Sequence, residues 1–188
     1  TVTGVSDVCS SDLAALENVE AIAALGIPVV CGTTGWFQHL DRAKAAIARH
    51  DTALVYSANY SIGVNVFQRL VAEAAALLKD EAQYEAWAWE IHHSAKKDAP
   101  SGTLLQLVGA MRKSGYARAV SESSNRAGAH PGTHEIGFDS AADTITLRHT
   151  ARSREGFARG AIKAAQWIVG RKGVHEFSEV LFGGGTCS

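Results

Sequence analysis

The densest run of chemically useful side chains is Glu90-Ile91-His92-His93-Ser94-Ala95-Lys96-Lys97-Asp98-Ala99-Pro100-Ser101-Gly102-Thr103. On a strand, His92 and His93 point to opposite faces and cannot chelate one ion side by side, so no metal is expected here. At the end of a strand, either ring can enter a cleft, and an imidazole with a pKa of about 6.5 exchanges protons near neutral pH. Lys96 offers positive charge and a proton. Ser101-Gly102-Thr103 opens a helix, and its free backbone N–H groups, with the Thr103 hydroxyl, suit an anion such as a carboxylate. Gly102 lets a ligand approach the backbone closely. Each residue alone fits a capped helix after a solvated basic loop. Their conjunction within fourteen residues points to a site.

Three further clusters stand at loop positions. Cys31-Gly32-Thr33-Thr34-Gly35-Trp36 directly follows a short apolar run, where backbone and hydroxyl groups of a doubly wound fold meet a planar ligand. Ser57-Ala58-Asn59-Tyr60-Ser61 follows a second such run; Asn59 either bonds an amide-bearing cofactor or caps its own turn. Arg126 to Glu135 reads as a loop leading into a strand, with His134 a packed histidine rather than a catalyst. Cys31 lacks a nearby base and reads as core.

The elements that position these clusters follow from periodicity. Leu16, Val19, Ile22 and Ala23 share a helical spacing that stops at Gly26. IPVVCG is a buried parallel strand, Asp41 to His50 a helix and Ala53 to Tyr56 a second strand. Two strands make an incomplete parallel sheet, which implies a truncated chain or reliance on a partner. A helix runs from about Ile62 to Lys79. The period then becomes two: Trp87, Trp89 and Ile91 share one face, Ala88, Glu90 and His92 the other. A helix capped by Ser101, strands His134–Phe138 and Thr144–Thr150, and a helix from about Arg154 to Val169 follow. The fold class is therefore α/β: the C-terminal part of a doubly wound, Rossmann-type parallel sheet, followed by an α+β domain. Residues 1–13 are expected to be non-native or disordered; they resemble a translated library adapter, with a frayed tail as the alternative. Residues 14–62 are expected to form the parallel α/β part, 63–84 a linking helix, 85–170 the α+β domain, and 171–188 a return segment and tail.

Eighteen basic against nineteen acidic residues give a net charge of -1, with no run of like charges, so nucleic acid is not an expected partner. No apolar stretch approaches the roughly 18 residues of a membrane span, so no membrane partner is expected. Three scattered cysteines without a CxxC pair fit a cytoplasmic location.

The strings GTTGW, SANYSIGVNVF, EIHHSAKKDAPSGT and PGTHEIGF, in this order, resemble the dihydrodipicolinate (4-hydroxy-tetrahydrodipicolinate) reductase family. The resemblance runs from Ala14 to the end and rests above all on HH-K-DAPSGT. It implies NAD(P)H-dependent reduction of 4-hydroxy-tetrahydrodipicolinate in lysine and diaminopimelate biosynthesis, with NADPH or NADH as cofactor and a small dicarboxylate as substrate. His92 would be the catalytic acid/base and Lys96 the proton donor. His93, Gly102 and Thr103 would bind substrate. Gly32, Thr33, Thr34, Ser57, Ala58, Asn59 and Tyr60 would line the nicotinamide site. It further implies that residues 14–62 are the remnant of a dinucleotide-binding domain and 85–170 the substrate-binding and oligomerisation domain, with a mixed sheet in this second domain that builds a homotetramer. The family's opening strand and glycine-rich phosphate loop are missing from the sequence, so N-terminal truncation and impaired turnover are expected. Other readings are a non-catalytic oligomerising remnant that binds a dicarboxylate, a semialdehyde or homoserine dehydrogenase type, and a His92/His93 metal protein.

Overall fold

A computed structural model of the chain describes residues 12–183, with side chains from Ala14 onward. The expectations for the first thirteen residues and for the GGGTCS tail fall outside it, except that Asp12 and Leu13 begin the first helix and Gly183 follows the last. The described residues form two compact units, one reaching Ile62 and resuming at Glu155, the other spanning Gly63–Arg154.

The first unit is built on strands β1 (Val29–Cys31), β2 (Ala53–Tyr56) and β7 (Gly173–Glu176), all parallel, in the order β1-β2-β7. Helices α1 (Asp12–Ala24), α2 (Leu40–Arg49), α5 (Glu155–Trp167) and α6 (Phe177–Phe182) complete it. Strand β2 shows why so short a run is stable. Leu54 packs with Leu16, Val19, Trp36 and Ile47 on one face, while Ala53 and Val55 pack with Ala164, Ile168 and Phe177 on the other. Burial on both faces explains the continuous apolar lettering. The sheet expected to have two strands has three: Leu54 pairs with Val174 and Val55 with His175. The closing segment from Val174 is thus a strand followed by a helix. The second domain was expected to run on to residue 170. Contacts instead group Glu155 onward with the first unit, because α5 packs against β1 and α6.

The second unit contains α3 (Ile62–Leu78, from Gly63), β3 (Glu85–His92), α4 (Gly102–Lys113), β4 (Val120–Arg126), β5 (Thr133–Asp139) and β6 (Thr144–Thr150). Its sheet has the order β4-β3-β5-β6, with β3 parallel to β4 and the other pairs antiparallel. The sheet is therefore mixed. Strand β4 was not anticipated, and Arg126, expected in a loop, ends it. One sheet face, through Ala86, Ala88, Ile136 and Phe138, packs on Phe67, Val71 and Ala75 of α3 and on Leu104, Leu107 and Met111 of α4. The other face carries Trp87, Trp89 and Ile91, each half-buried. The Trp87 indole covers its cross-strand partner Gly137, where a Cβ would come within 2.1 Å of the ring. Arg118 closes the unit by donating to the carbonyls of Leu78, Lys79 and Tyr84, at distances of 2.9, 2.8 and 3.1 Å. It thereby satisfies helix-end acceptors that α3 leaves open.

Candidate functional site

In the second unit, period two sets Glu90 and His92 on the same face of β3 as Ala86 and Ala88, toward the helices. The register then brings Ser124 and Arg126 of β4 beside Glu90 and His92, and His134 of β5 opposite Glu90. Glu90 is fully buried. Its Oε1 accepts from the backbone N–H of Ser101 at 2.8 Å, Ser124 Oγ at 2.9 Å and Arg126 Nη2 at 2.8 Å, and its Oε2 accepts from Ser101 Oγ. His134 Nε2 stands 3.3 Å and His92 Nδ1 3.5 Å from Oε2. The two rings meet edge to face with centroids 5.1 Å apart. Ser101 does two jobs: it caps α4 by accepting from Leu104 N–H at 3.2 Å, and it ties that helix start to the carboxylate.

Electrostatics follow from burial and partners. Burial works to raise the Glu90 pKa, but hydrogen bonds from Ser101, Arg126 and Ser124 outweigh it and hold the pKa at about 2. His134 is pushed down to about 4 by burial and by neighbouring His92, only partly offset by Glu90. His92 is lowered by burial and by the Lys96 and Arg126 charges, with Glu90 and Asp98 pulling the other way. Near neutral pH the cluster therefore holds one carboxylate and two neutral imidazoles. One ligand atom from each of Glu90, His92 and His134 lies within 4.8 Å of the others, a spacing an ion would accept. Ser101 Oγ bridges Glu90 and His134, and Arg126 pairs with the carboxylate, so in this structure the cluster is joined by hydrogen bonds and an ion pair.

Around His92 the remaining expected residues fall into place unevenly. Lys96 pairs with Asp98 at 2.7 Å, and the backbone carbonyl of Asp98 accepts from Arg126, which tethers the loop to β4. His93 is exposed, and its carbonyl accepts from Lys96 N–H at 3.1 Å. Gly102 is exposed and Thr103 half-buried at the first turn of α4. Beside His92 Nε2, Gly132 adopts φ +135°, and a Cβ there would stand 3.0 Å from the ring nitrogen. Glycine keeps that flank open. Glu90, Ser124, Arg126 and His134 were not assigned roles from sequence. The available signal was Glu90 itself, an acid sharing a strand face with Ala88 and His92.

In the first unit, the two turns expected to hold a nicotinamide do converge. Strands β1 and β2 end in register, and Ser57 N–H donates to the Cys31 carbonyl at 3.2 Å. Gly32 and Thr34 are exposed beyond β1, with Thr33 half-buried between them. A Cβ on Gly32 would make ordinary contact with the Tyr60 ring at 3.5 Å. Tyr60 is buried and anchored: its hydroxyl lies 3.0 Å from the Cys31 carbonyl and 2.9 Å from that of Val55. Burial raises its pKa. Ser57 Oγ donates to the Asn59 carbonyl and accepts from its N–H, while Asn59 Oδ1 accepts from Ser61 N–H at 2.8 Å. The Asn59 oxygen thus caps its own turn. Ala58 is exposed at the turn's tip. Cys31 is half-buried against the core.

Residues 63–181 match the family model described as dihydrodipicolinate reductase, C-terminus. The 4-hydroxy-tetrahydrodipicolinate reductase of Christiangramia forsetii is 34% identical over 179 residues, covering 89% of this chain and 75% of the relative. That of Methanoregula boonei is 39% identical over 183 residues, covering 89% and 71%. Among solved structures, dipicolinate-bound dihydrodipicolinate reductase from Paenisporosarcina sp. TG-14 shares the fold, with a TM-score of 0.77 at 18% identity over 89% of this chain and 69% of that one. A family match over most of the chain, relatives above the level at which families are shared, and a common fold lead to one conclusion: this chain belongs to the dihydrodipicolinate reductase family.

Proposed function

We propose that the chain serves the NAD(P)H-dependent reduction of 4-hydroxy-tetrahydrodipicolinate to tetrahydrodipicolinate, with release of water, in lysine and diaminopimelate biosynthesis. The observation that carries this reading is the buried imidazole of His92, set over an ionised Glu90, in the unit that also holds Lys96 and the open first turn of α4. A cyclic dicarboxylate needs cations and free backbone N–H groups, which Lys96 and the Gly102–Thr103 turn offer. Dipicolinate in the solved neighbour is a ring of that kind. His93 contacts the substrate at the rim.

Gly32, Thr33 and Thr34, with Ser57 to Tyr60, hold the nicotinamide end of NADPH or NADH in this reading. The fit rests on exposed backbone at the ends of two adjacent parallel strands, where doubly wound sheets take nucleotides. When bound, the nucleotide supplies the hydride. His92 then delivers a proton to the reduced ring, and the Lys96 charge stabilises the electron density that develops there. The half-buried Trp87, Trp89 and Ile91 face of the mixed sheet is the surface through which we read a homotetramer. A cytoplasmic setting completes the reading; among the described residues, no helix is long and apolar enough to cross a membrane.

The test is loss of NADPH absorbance with substrate generated in place, run beside NADPH fluorescence titration and dipicolinate binding. Turnover supports the reading. Dipicolinate binding without NADPH binding or turnover favours the non-catalytic remnant instead, and failure to bind either ligand removes both. Within the active enzyme, Lys96→Ala should lower turnover by about 10²-fold. Among the described residues, Lys96 pairs with the exposed Asp98 alone, a contact worth about 0–1 kcal/mol. The melting temperature should therefore hardly move. A parallel fall of melting temperature and rate would make Lys96 a structural residue.

A further inference from the structure

We propose that Glu90 is the positioning residue of this site, a fixed buried carboxylate that holds the His92 imidazole through Nδ1 and leaves Nε2 to face the substrate. The inference rests on the reading of His92 as the acid of the proposed reaction and deepens it. The hydrogen-bond count carries it. Ser101 has one hydroxyl hydrogen and gives it to Glu90 Oε2. At 3.2 Å from His134 Nε2 that hydroxyl can only accept, so His134 carries its hydrogen on Nε2. With Oε1 occupied by three donors, Oε2 is the oxygen turned toward both rings. His92 Nδ1 is buried and makes no hydrogen bond in this structure; the acceptor in front of it is Glu90 Oε2, 3.5 Å away. Such contacts tighten when a substrate closes the site. The tautomer this selects, with hydrogen on Nδ1, directs Nε2 to the side that Gly132 keeps open.

The groups facing His92 are Glu90 on its own strand, Lys96 and Asp98 on the following loop, Arg126 on β4 and His134 on β5. Glu90 and Asp98 favour the charged ring, and Lys96 and Arg126 oppose it. A purely structural Glu90 would leave His92 titration where it is. Nitrogen-15 imidazole NMR of the full chain reads both tautomer and titration without needing turnover. Glu90→Gln should lower the His92 pKa by about one unit or more and dissolve its tautomer preference. Arg126→Gln should raise it, since it removes an opposing charge while Glu90 stays ionised. The alkaline limb of kcat/KM should move in the same directions, with a smaller change in KM than in kcat. An unmoved His92 titration in folded Glu90→Gln overturns the proposal. If that variant fails to fold, the wild-type spectrum decides: a neutral His92 with its hydrogen on Nε2 overturns the proposal. A wild-type chain without reductase activity would refute the functional reading, while the NMR result still decides the role of Glu90.

Discussion

Replacing His92 with Gln should lower kcat by about 10²- to 10⁴-fold, the usual contribution of a positioned acid or base. The fold should survive. Gln fills much of the imidazole's volume, and its amide can still donate toward Glu90 Oε2, which His92 Nδ1 faces at 3.5 Å. The stability loss should therefore stay within about 1–2 kcal/mol. The pH profile sharpens the test. Burial lowers the His92 pKa, and Glu90 offsets this only in part. In the free enzyme the protonated acid is thus lost at a pH below the ordinary imidazole value of about 6.5, and kcat/KM should begin its alkaline fall there. A bound dianion favours the charged ring, so the limb of kcat should lie at higher pH than that of kcat/KM. In His92→Gln the limb assigned to this group should vanish from both profiles. A rate within a few-fold of wild type, or a limb that persists unchanged, would take His92 out of the proton-transfer role.

How much of this was legible in the residues depended on where the hydrophobic signal lay. Helices α2, α3 and α4 announce themselves because their buried positions recur at helical spacing, and Ser101 marks the start of α4 by the bond it makes to Leu104 N–H. Strand β2 is legible because both of its faces are core. Strand β4 is not. It reads VSESSNR, without an apolar alternation, since it lies at a sheet edge and its inward positions Ser124 and Arg126 are spent on Glu90. The third parallel strand was equally hidden. Four residues, Gly173–Glu176, can be recognised as a strand only by the partner they meet more than a hundred positions earlier in the chain.

The site shows the same division. Its face of β3 is the one lettered Ala, Glu, His, while hydrophobicity alone would turn the Trp87 and Trp89 face inward. Polar residues win the interior there because Arg126, two serines and a helix start satisfy the carboxylate. His134 was legible as a packed histidine, and it is packed. Its bond to Ser101 and its approach to Glu90 depend on cross-strand register, which no local spacing encodes.

Gly160→Ala should destabilise the protein by about 3 kcal/mol, the upper part of the range for overpacking. By helix propensity the same change should stabilise: Gly160 lies inside α5, and alanine gains about 1 kcal/mol over glycine in a helix interior. Sterics decide against it. A Cβ at 160 would stand 1.7 Å from the Tyr60 carbonyl oxygen, 2.8 Å from its carbon and 3.1 Å from the Phe177 ring. Two of those three atoms are backbone and cannot rotate away. Either α5 lifts from the core it shares through Ala161 and Ala164, or the 57–61 turn shifts. The turn is braced by Ser57, Asn59 and the Tyr60 hydroxyl, so both routes break buried contacts. For a chain of this size the melting temperature should drop by roughly 6–12 °C. The variant should also bind NADPH more weakly if the Ser57–Tyr60 turn carries the nicotinamide, while the hydrogen bonds of the Glu90 cluster, which lie in the other unit, stay as they are. Gly109→Ala is the matched control. It too sits inside a helix, but nothing lies within 4 Å of its added Cβ, so propensity should rule and stability should rise by about 0.5–1 kcal/mol. If both substitutions raise the melting temperature, α5 does not rest on the Tyr60 backbone, and the packing that fixes this turn is not the one described.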